Sequence, residues 1–331
     1  MSTKRHQIIY DTDPGVDDAM ALLFLAAHPD VALRGVTTVF GNGTVTATTQ
    51  NALYLAEHFA AGTPVFAGAA GPLQGAPRAP VSWIHGHDAM GDIEARQPPS
   101  QQPETRPAHR FIIDAVRAEP GAITLIAVGP LTNLALALRE APDIAGLVKA
   151  VYVMGGAFGF HGHGGNVTPC AEANVLCDPD AADLVFGAGW PVTIVGLDVT
   201  QRTLMMQDDL ATLRDIPGAA GAAGRFIWDV TRVYQRFHEQ SADLAGIYVH
   251  DSSAVACCVA PELYTVRRGP VRVVCEGIAI GQTIQKPLAS PVPAPAWDDR
   301  PAQDVCIDVD VAGFLALYQR VLTGKQRAAE G

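Results

Sequence analysis

The chain has 331 residues, enough for a large core in at most two or three domains. It is 48% hydrophobic and 17% charged, which is typical of a globular protein and excludes a disordered one. A net charge of −11 disfavours nucleic acid or an acidic membrane as the main partner. No apolar run reaches the roughly 18 residues of a membrane span. The polar start MSTKRHQ lacks a secretory h-region, and the six cysteines show no CxxC spacing, so we expect a cytoplasmic protein.

Apolar patterns along the chain predict strands that alternate with helices. Predicted strands cover residues 8–10, 31–40, 64–67, 122–128, 147–154 and 192–197. Predicted helices cover 16–27, 46–60, 109–118, 131–138, 180–187 and about 219–240. Residues 68–105 are rich in Gly and Pro and predict one long functional loop. After residue 269 the pattern changes to short β segments and a closing helix at 313–322.

Repeated βα units predict the α/β class, with a mostly parallel central sheet, flanking helices and right-handed crossovers. The last segments form a small β/α addition at the C-terminus. The Pro-rich stretch 287–297 could be a linker, but the strand and helix that follow it favour a loop. We therefore predict a single domain over residues 1–331.

Four aspartates fall within eight residues, in the run IIYDTDPGVDDAMALLFLA. Asp11 and Asp13 end a predicted strand on the same face, and Asp17 and Asp18 lie in the first turn of the next helix. This concentration of negative charge is unfavourable without a cation. Oxygen-only ligands suit a hard divalent ion, so the segment predicts a Ca²⁺ or Mg²⁺ site.

Other polar side chains also follow predicted strands. Asn42 lies in GNGT, Glu172 and Asn174 lie in AEAN, and His250 and Asp251 lie in VHDSSAV. Because the carboxyl ends of parallel strands share one edge of a sheet, these groups can converge there. Structural interpretations remain open for several of these acidic and amide residues. Asn42 could be a turn residue, and Glu172 and Asn174 could start a helix. In the aspartate run, Asp11 could brace its turn or support the residues around it.

The aspartate run resembles the signature of the inosine–uridine preferring nucleoside hydrolase family. The segments TTVFGNGT, LIAVGPLTNLA, VYVMGGAF, AEANVLCDPDAA, VGLDVT and VHDSSAV follow in the order that the family shows. The resemblance covers about residues 6–260, with weaker cover toward the C-terminus. It implies a Rossmann-like nucleoside hydrolase fold, a ribonucleoside substrate and a homodimer or homotetramer.

The resemblance also implies roles for individual residues. Ca²⁺ would be held by the carboxylates of Asp13, Asp18 and Asp251 and by the backbone oxygen of Val128. A Ca²⁺-bound water would be the nucleophile, with Asp13 as its general base. The ribose would contact Asp17, Asn42, Glu172 and Asn174, with Met154 beneath the sugar.

The leaving base needs a proton or a hydrogen bond. His250 is adjacent to Asp251 and is expected to titrate near neutrality, so it is the acid candidate. Tyr234 and His238 are four residues apart on a predicted helix and share a face, which by resemblance borders the base pocket. Family members often have tyrosine at both positions, so His238 is a departure that leaves the base preference open.

Two histidines, His85 and His87, lie in the long loop, which we expect to close over the site. Of these, His85 is a candidate contact to the base.

The chemistry implied is cleavage of an N-glycosidic bond through an oxocarbenium-like state that carboxylates stabilise. Direct attack by water, with inversion, needs no covalent intermediate. Two alternatives remain at this point. The DTD segment also occurs in haloacid dehalogenase-type phosphatases, although VGLDVTQR does not fit their later motif. The second alternative is a protein on the same fold that binds a nucleoside or ribose without turnover.

Overall fold

A nine-stranded sheet runs through the computed structural model, which describes residues 6–93, 96–218 and 221–324. The strands are β1 (His6–Thr12), β2 (Val31–Thr38), β3 (Val65–Ala67), β4 (Ile123–Ala127), β5 (Ala150–Met154), β6 (Val192–Val195), β7 (Leu204–Met206), β8 (Gly246–Tyr248), β9 (Tyr264–Val273), β10 (Thr283–Gln285) and β11 (Ala302–Val309). The sheet order is β10-β9-β11-β6-β5-β4-β1-β2-β3. All neighbours from β11 to β3 pair in parallel, whereas β9 and β10 are antiparallel additions. Strands β7 and β8 form a separate antiparallel pair.

Helices connect most of the strands. They are α1 (Val16–Ala27), α2 (Val45–Phe59), α3 (Ser82–His85), α4 (Ala108–Ala118), α5 (Thr132–Glu140), α6 (Ala173–Cys177), α7 (Pro179–Phe186), α8 (Leu197–Thr200), α9 (Gln207–Arg214), α10 (Gly221–Ala242), α11 (Asp251–Val259), α12 (Pro295–Asp298) and α13 (Val311–Thr323). None of the helices in the described ranges is long and apolar enough to cross a membrane.

Alternating strand residues bury two hydrophobic cores, one on each face of the sheet. In β1, Ile8 and Tyr10 pack into the core that contains α1, α2, α10, α11 and α13. Ile9 between them packs into the other core, with α4, α5 and α7. This is the period-two geometry of a strand, and it explains why β4 is apolar throughout: both of its faces are covered. The predicted α/β class with a mostly parallel sheet and flanking helices is confirmed.

The C-terminal part of the sheet begins earlier than predicted. Strand β9 starts at Tyr264, not after residue 269, and pairs antiparallel with both β10 and β11. The Pro-rich stretch forms α12 and connects β10 to β11 within the sheet, as expected of a loop and not of a linker. The predicted start of the long helix at residue 219 lies outside the described residues.

The long segment 68–105 is more structured than the sequence predicts. It contains α3, and Glu104 forms a bridge with Phe66 at the end of β3. Asn51 donates from its side chain to the carbonyl of Asp88, which ties the segment to α2. The predicted long loop therefore contains one helical turn at residues 82–85, which tertiary contacts hold and which the Gly/Pro composition conceals.

Candidate active site

A cavity of about 800 Å³ opens at the carboxyl edge of the central strands. It lies where β1, β4 and β5 end and where α1 and α11 begin, as the parallel topology requires. The structure brings almost all predicted site residues to its wall: Asp13, Asp17, Asn42, His85, Val128, Met154, Glu172, Asn174, Tyr234, His238, His250 and Asp251. Asp18 lies directly behind this wall and is fully buried.

The carboxylate of Asp13 is held on one side only. Its Oδ2 accepts the backbone N–H of Asn42 at 2.7 Å, whereas its buried Oδ1 has no hydrogen-bond partner among the residues that the structure describes. Gly41 and Gly129 flank this carboxylate so closely that an added Cβ would meet Asp13 oxygens at 2.0 Å and 2.4 Å. The two glycines therefore form a cradle that only a residue without a side chain can provide.

Asp18 is fixed by the N-terminus of α1. Its Oδ2 accepts the backbone N–H of Gly15 at 2.9 Å and the side-chain amide of Asn42 at 3.0 Å. The hydroxyl of Thr12 donates to its Oδ1. The positive end of the helix favours an anion here. Consequently, Asp18 is a rigid carboxylate in the first turn, as the sequence predicted.

Three carboxylates converge from two helices. Asp17 and Asp18 begin α1 and Asp251 begins α11, and ligand atoms of all three lie within 4.8 Å of one another. Burial, and then the neighbouring charge of Asp18, raise the pKa of Asp17 to about 8. Burial and the adjacent aspartates also raise the pKa of Asp13 and of Asp251 well above the usual range. Each charge thus opposes the others unless a cation neutralises them.

The donor set fits a hard divalent cation. It contains oxygen atoms only, and Asp13, whose buried Oδ1 is orphaned among the described residues, adds a neighbouring carboxylate that acts on Asp251. The backbone oxygen of Val128 accepts from the side chain of Asn174 at 2.8 Å and lies at the end of β4 beside this group. These residues could therefore hold a metal ion.

Asp11 does not reach the cavity. Its Oδ1 accepts hydrogen bonds from the hydroxyl of Thr37 and the side-chain amide of Asn133, which lie on β2 and α5. Burial raises the pKa of Asp11 to about 7. Asp11 is therefore a brace, but it links β1 to β2 and α5 and does not hold its own turn through these bonds.

Glu172 starts a helix and also lines the cavity. It is the N-cap of α6, and its carboxylate accepts the backbone N–H groups of Asn174 and Val175. It also accepts the N–H of Gly156 at 3.0 Å, at the end of β5. Because these donors hold it at the cavity wall, Glu172 presents a fixed negative charge there. Asn174 similarly donates to the oxygens of Val128 and Met154.

An aromatic wall adjoins the carboxylates, and Nδ1 of His85 lies 4.0 Å from Oδ1 of Asp17. The ring of His85 stacks on Tyr234 at 5.5 Å, and Tyr234 contacts His238 edge-on at 4.4 Å. The series continues from His238 to Tyr248 at 5.1 Å and from Tyr248 to His250 at 5.8 Å. All five rings line the cavity, and they offer a flat planar ligand both stacking and polar contacts.

The pKa of His250 differs from the one that the sequence suggests. Its Nδ1 lies 2.8 Å from the hydroxyl of Thr200. Burial, and then the neighbouring His238 and His85, lower its pKa to about 3. The expectation of titration near neutrality was wrong, because a pattern of residues in sequence does not reveal desolvation. The imidazole is neutral at pH 7 and can donate one N–H.

The two histidines of the long loop behave differently. His85 is buried, accepts the backbone N–H of Val16 on Nδ1 and lines the cavity. His87 is exposed, pairs with Asp92 and lies away from the cavity wall. The loop also places Trp83 at the cavity, with two thirds of its surface exposed.

Several cavity residues were missed by the sequence analysis. Tyr248 was detectable, because it precedes His250 by two residues and so shares its face in an extended segment. Phe237 and Asn166 also line the cavity. Asn166 lies in a Gly-rich stretch without a periodic pattern, so no signal pointed to it.

The VGLDVTQR segment has a structural role. Asp198 accepts the backbone N–H groups of Phe158 and Phe160 at 2.9 and 2.7 Å, and so fixes the loop after β5. Asp198 itself does not line the cavity, although Gln201 of the same segment does. This arrangement gives no support to the phosphatase alternative.

At the edge of a mostly parallel α/β sheet, an aspartate cluster adjoins an aromatic-lined cavity. This is the architecture of a nucleoside hydrolase. The chain belongs to the inosine-uridine preferring nucleoside hydrolase family, whose sequence model matches residues 8–316. It is accordingly an enzyme that hydrolyses the N-glycosidic bond of ribonucleosides.

Its similarity to individual members extends over nearly the whole chain. It is 38% identical to a probable uridine nucleosidase 1 of Oryza sativa subsp. japonica, over 96% of this chain and 97% of that protein. Among solved structures it resembles the plant nucleoside hydrolase PpNRh1, with a TM-score of 0.91, 33% identity and coverage of 96% and 99%. A purine-preferring ribonucleoside hydrolase of Gardnerella vaginalis gives a TM-score of 0.87, 33% identity and coverage of 96% and 98%.

Proposed function

We propose that the protein hydrolyses ribonucleosides with the help of Ca²⁺, with Asp13 as general base and His250 as hydrogen-bond donor to the leaving base. The observation that carries this proposal is the carboxylate cluster beneath the aromatic wall of one cavity. A ribose fits the carboxylate side, and a planar base fits the side with stacked rings. A binder without turnover has less support, since the general-base candidate is preserved and oriented.

Asp13, Asp18, Asp251 and the backbone oxygen of Val128 would hold the cation. When bound, Ca²⁺ lowers the pKa of a water molecule, orients it and binds the ribose diol. Asp17 lies in the same carboxylate cluster, so it is placed to accept a hydrogen bond from the diol. Asn42 is placed beside the same group through its bonds to Asp13 and Asp18.

Asp13 is well suited to take a proton from the attacking water. Its Oδ2 accepts the Asn42 N–H and its Oδ1 has no hydrogen-bond partner among the described residues, so the carboxylate keeps lone pairs both for the cation and for the proton of the water. General-base assistance of this kind contributes about 10²–10⁴-fold to rate.

The carboxylates also favour the transition state over the ground state. Positive charge develops on the ribosyl ring as the N-glycosidic bond breaks. Glu172, which its backbone N–H donors hold rigidly, and the aspartates present negative charge that needs no reorganisation. The neutral substrate gains less from these charges, so the barrier falls.

The leaving base departs toward the aromatic wall. His250 is neutral there, so it assists through one imidazole N–H rather than as an imidazolium. Its ring is oriented by the hydroxyl of Thr200. His85, Tyr234 and His238 form the remaining contacts that we assign to the base.

The deciding experiment is the release of reducing sugar from uridine, inosine, cytidine, adenosine and guanosine, with and without EDTA. We expect ribose release that EDTA abolishes and that Ca²⁺ restores better than Mg²⁺. Turnover that is insensitive to EDTA would contradict the metal assignment. No turnover with any nucleoside, in the presence of Ca²⁺, would favour the binder. The panel also measures base preference, since the relatives named above include both a uridine nucleosidase and a purine-preferring enzyme.

Three further points stay predictions. They are a single catalytic domain over residues 1–331, a homodimer or homotetramer, and a cytoplasmic location.

A further inference from the structure

His238 has its proton fixed on one nitrogen. Its Nδ1 lies 2.8 Å from the backbone carbonyl oxygen of Tyr234, one helical turn earlier on α10. A carbonyl can only accept, so Nδ1 must carry the hydrogen. Burial lowers the pKa of the ring, which keeps it neutral. The Nε2 atom therefore carries a lone pair and can only accept a hydrogen bond.

The ring of His238 is also fixed in orientation. Tyr234, Phe237 and Tyr248 surround it edge-on, with centroid distances of 4.4, 5.3 and 5.1 Å. The side chain is 3% exposed and lines the cavity. Rotation of the ring to present the protonated nitrogen would break the bond to Tyr234 and disturb these contacts. The polarity at this point of the wall is therefore set before substrate binds.

Ser241 repeats the pattern at the next position on the same face of α10. Its hydroxyl donates to the backbone carbonyl of Phe237 at 2.7 Å, and the residue also lines the cavity. The hydroxyl proton of Ser241 is therefore donated to a helix carbonyl, as the Nδ1 proton of His238 is. Residues three apart on a helix are neighbours, so this face of α10 offers the cavity two acceptors in a row.

We infer that His238 is a specificity-determining residue whose Nε2 accepts a hydrogen bond from an N–H of the nucleobase. Preferred substrates then carry an N–H on the base edge that faces α10, such as an imide N–H or an exocyclic amine. A base that turns a carbonyl or an N-methyl group to this edge leaves a buried acceptor without a partner, which is penalised. The inference rests on the proposed function and adds the base edge that the site recognises.

Matched nucleoside pairs test this, because methylation replaces each N–H with an N-methyl group, and the His238 variants below separate the lost hydrogen bond from the added bulk. The pairs are uridine and 3-methyluridine, inosine and 1-methylinosine, cytidine and N4,N4-dimethylcytidine, and adenosine and N6,N6-dimethyladenosine. For the best parent nucleoside, we expect methylation to lower kcat/KM by about tenfold or more in the unmodified enzyme. A loss of less than about threefold for that parent would overturn the inference.

The variant His238→Phe separates hydrogen bonding from shape, since the two rings have similar size. We expect activity on the parent nucleoside to fall and the ratio of parent to methylated substrate to shrink to about threefold or less. An unchanged ratio would show that His238 acts by packing alone, and would overturn the inference. His238→Gln retains an acceptor oxygen and should give an intermediate ratio, which provides a second test if the Phe variant folds poorly.

The chain offers a matched control in α2. His58 Nδ1 lies 2.8 Å from the carbonyl of Tyr54, in the same i, i+4 arrangement, but the residue is exposed and away from the cavity. His58→Phe should leave every ratio unchanged. A nitrophenyl riboside, whose leaving group carries no N–H, reports on the sugar site separately. If the unmodified enzyme fails to cleave even this substrate, the proposed function fails, whereas cleavage of it without discrimination between pairs contradicts only the role of His238.

Discussion

Asn42 donates its backbone N–H to Oδ2 of Asp13 at 2.7 Å, whereas Oδ1 of Asp13 is buried and has no partner within residues 6–93, 96–218 and 221–324. The side-chain amide of Asn42 donates to Oδ2 of Asp18 at 3.0 Å. One residue of the loop after β2 therefore orients two carboxylates that β1 and α1 supply. The resemblance assigned Asn42 to the ribose, and the geometry adds this role in positioning the acidic group.

Asp13→Asn should lower kcat/KM by about 10²–10⁴-fold, because the amide cannot accept a proton from water. The volume of the side chain is preserved, and Asn42 can still donate to the remaining oxygen. We therefore expect cooperative thermal unfolding to be retained. Steady-state release of ribose and circular dichroism measure the two effects.

The control for this variant is Asp114→Asn. Asp114 is exposed and forms a surface ion pair with Arg106, which contributes little to stability. Its replacement should leave turnover unchanged. Activity of Asp13→Asn close to that of the unmodified enzyme would remove Asp13 from the general-base role.

Gly129→Ala should also inactivate the enzyme, although residue 129 carries no chemical group. Its Cβ would lie 2.4 Å from Oδ1 of Asp13 and 3.0 Å from a methyl group of Val39. The carboxylate must then move, and a displacement of about 1 Å at a reacting group can cost about 10²-fold in rate. Gly146→Ala is the matched control, since nothing lies within 4 Å of its added Cβ. Equal activity of the two variants would show that the cradle around Asp13 is not needed.

The part of the site that the sequence predicted well is local. Asp13 directly follows a strand, and Asp17 and Asp18 lie in the first helical turn after a Pro-Gly turn. The hydrogen bond that Asp18 accepts from Gly15 needs only neighbours in the chain. The parallel sheet was predictable for the same reason, because each βα unit carries its own apolar pattern. Residues that depend on one local element were therefore found.

Features that arise from distant contacts were not predictable. The low pKa of His250 results from burial against His238 on α10 and His85 in the long loop, which topology brings together. Similarly, α3 persists because the loop around it is tied to α2. Strand β9 begins early because β11 pairs with it from a position some 40 residues later in the chain. Neither periodicity nor spacing reports such contacts.

His250→Ala should reduce turnover more strongly for inosine than for a nitrophenyl riboside. Hypoxanthine is a poor leaving group and gains from an imidazole N–H, whereas nitrophenolate departs without such help. We expect a loss of about 10²-fold or more for inosine and a much smaller loss for the activated substrate, measured as kcat/KM. Thr200→Val, which removes the hydroxyl beside Nδ1, should shift activity in the same direction but less. Equal losses on both substrates would assign His250 to ribose binding or packing.

Removal of the metal should lower thermal stability as well as activity. The carboxylates of Asp17, Asp18 and Asp251 are buried together, and burial raises the pKa of all three. Neighbouring aspartates raise the pKa of Asp17 and of Asp251 further. A cation that binds only the folded state stabilises it by mass action, about 2.7 kcal/mol at 100 times its Kd. We therefore expect Tm to rise with added Ca²⁺ and to fall with EDTA.

Asp18→Asn makes this test specific to the site. The variant keeps a side-chain oxygen for Gly15 and Asn42 but removes one of the clustered charges. Its rise in Tm with Ca²⁺ should be much smaller, because affinity for the cation falls with the number of charged ligands. An equal rise in both proteins would place the stabilising Ca²⁺ elsewhere in the molecule.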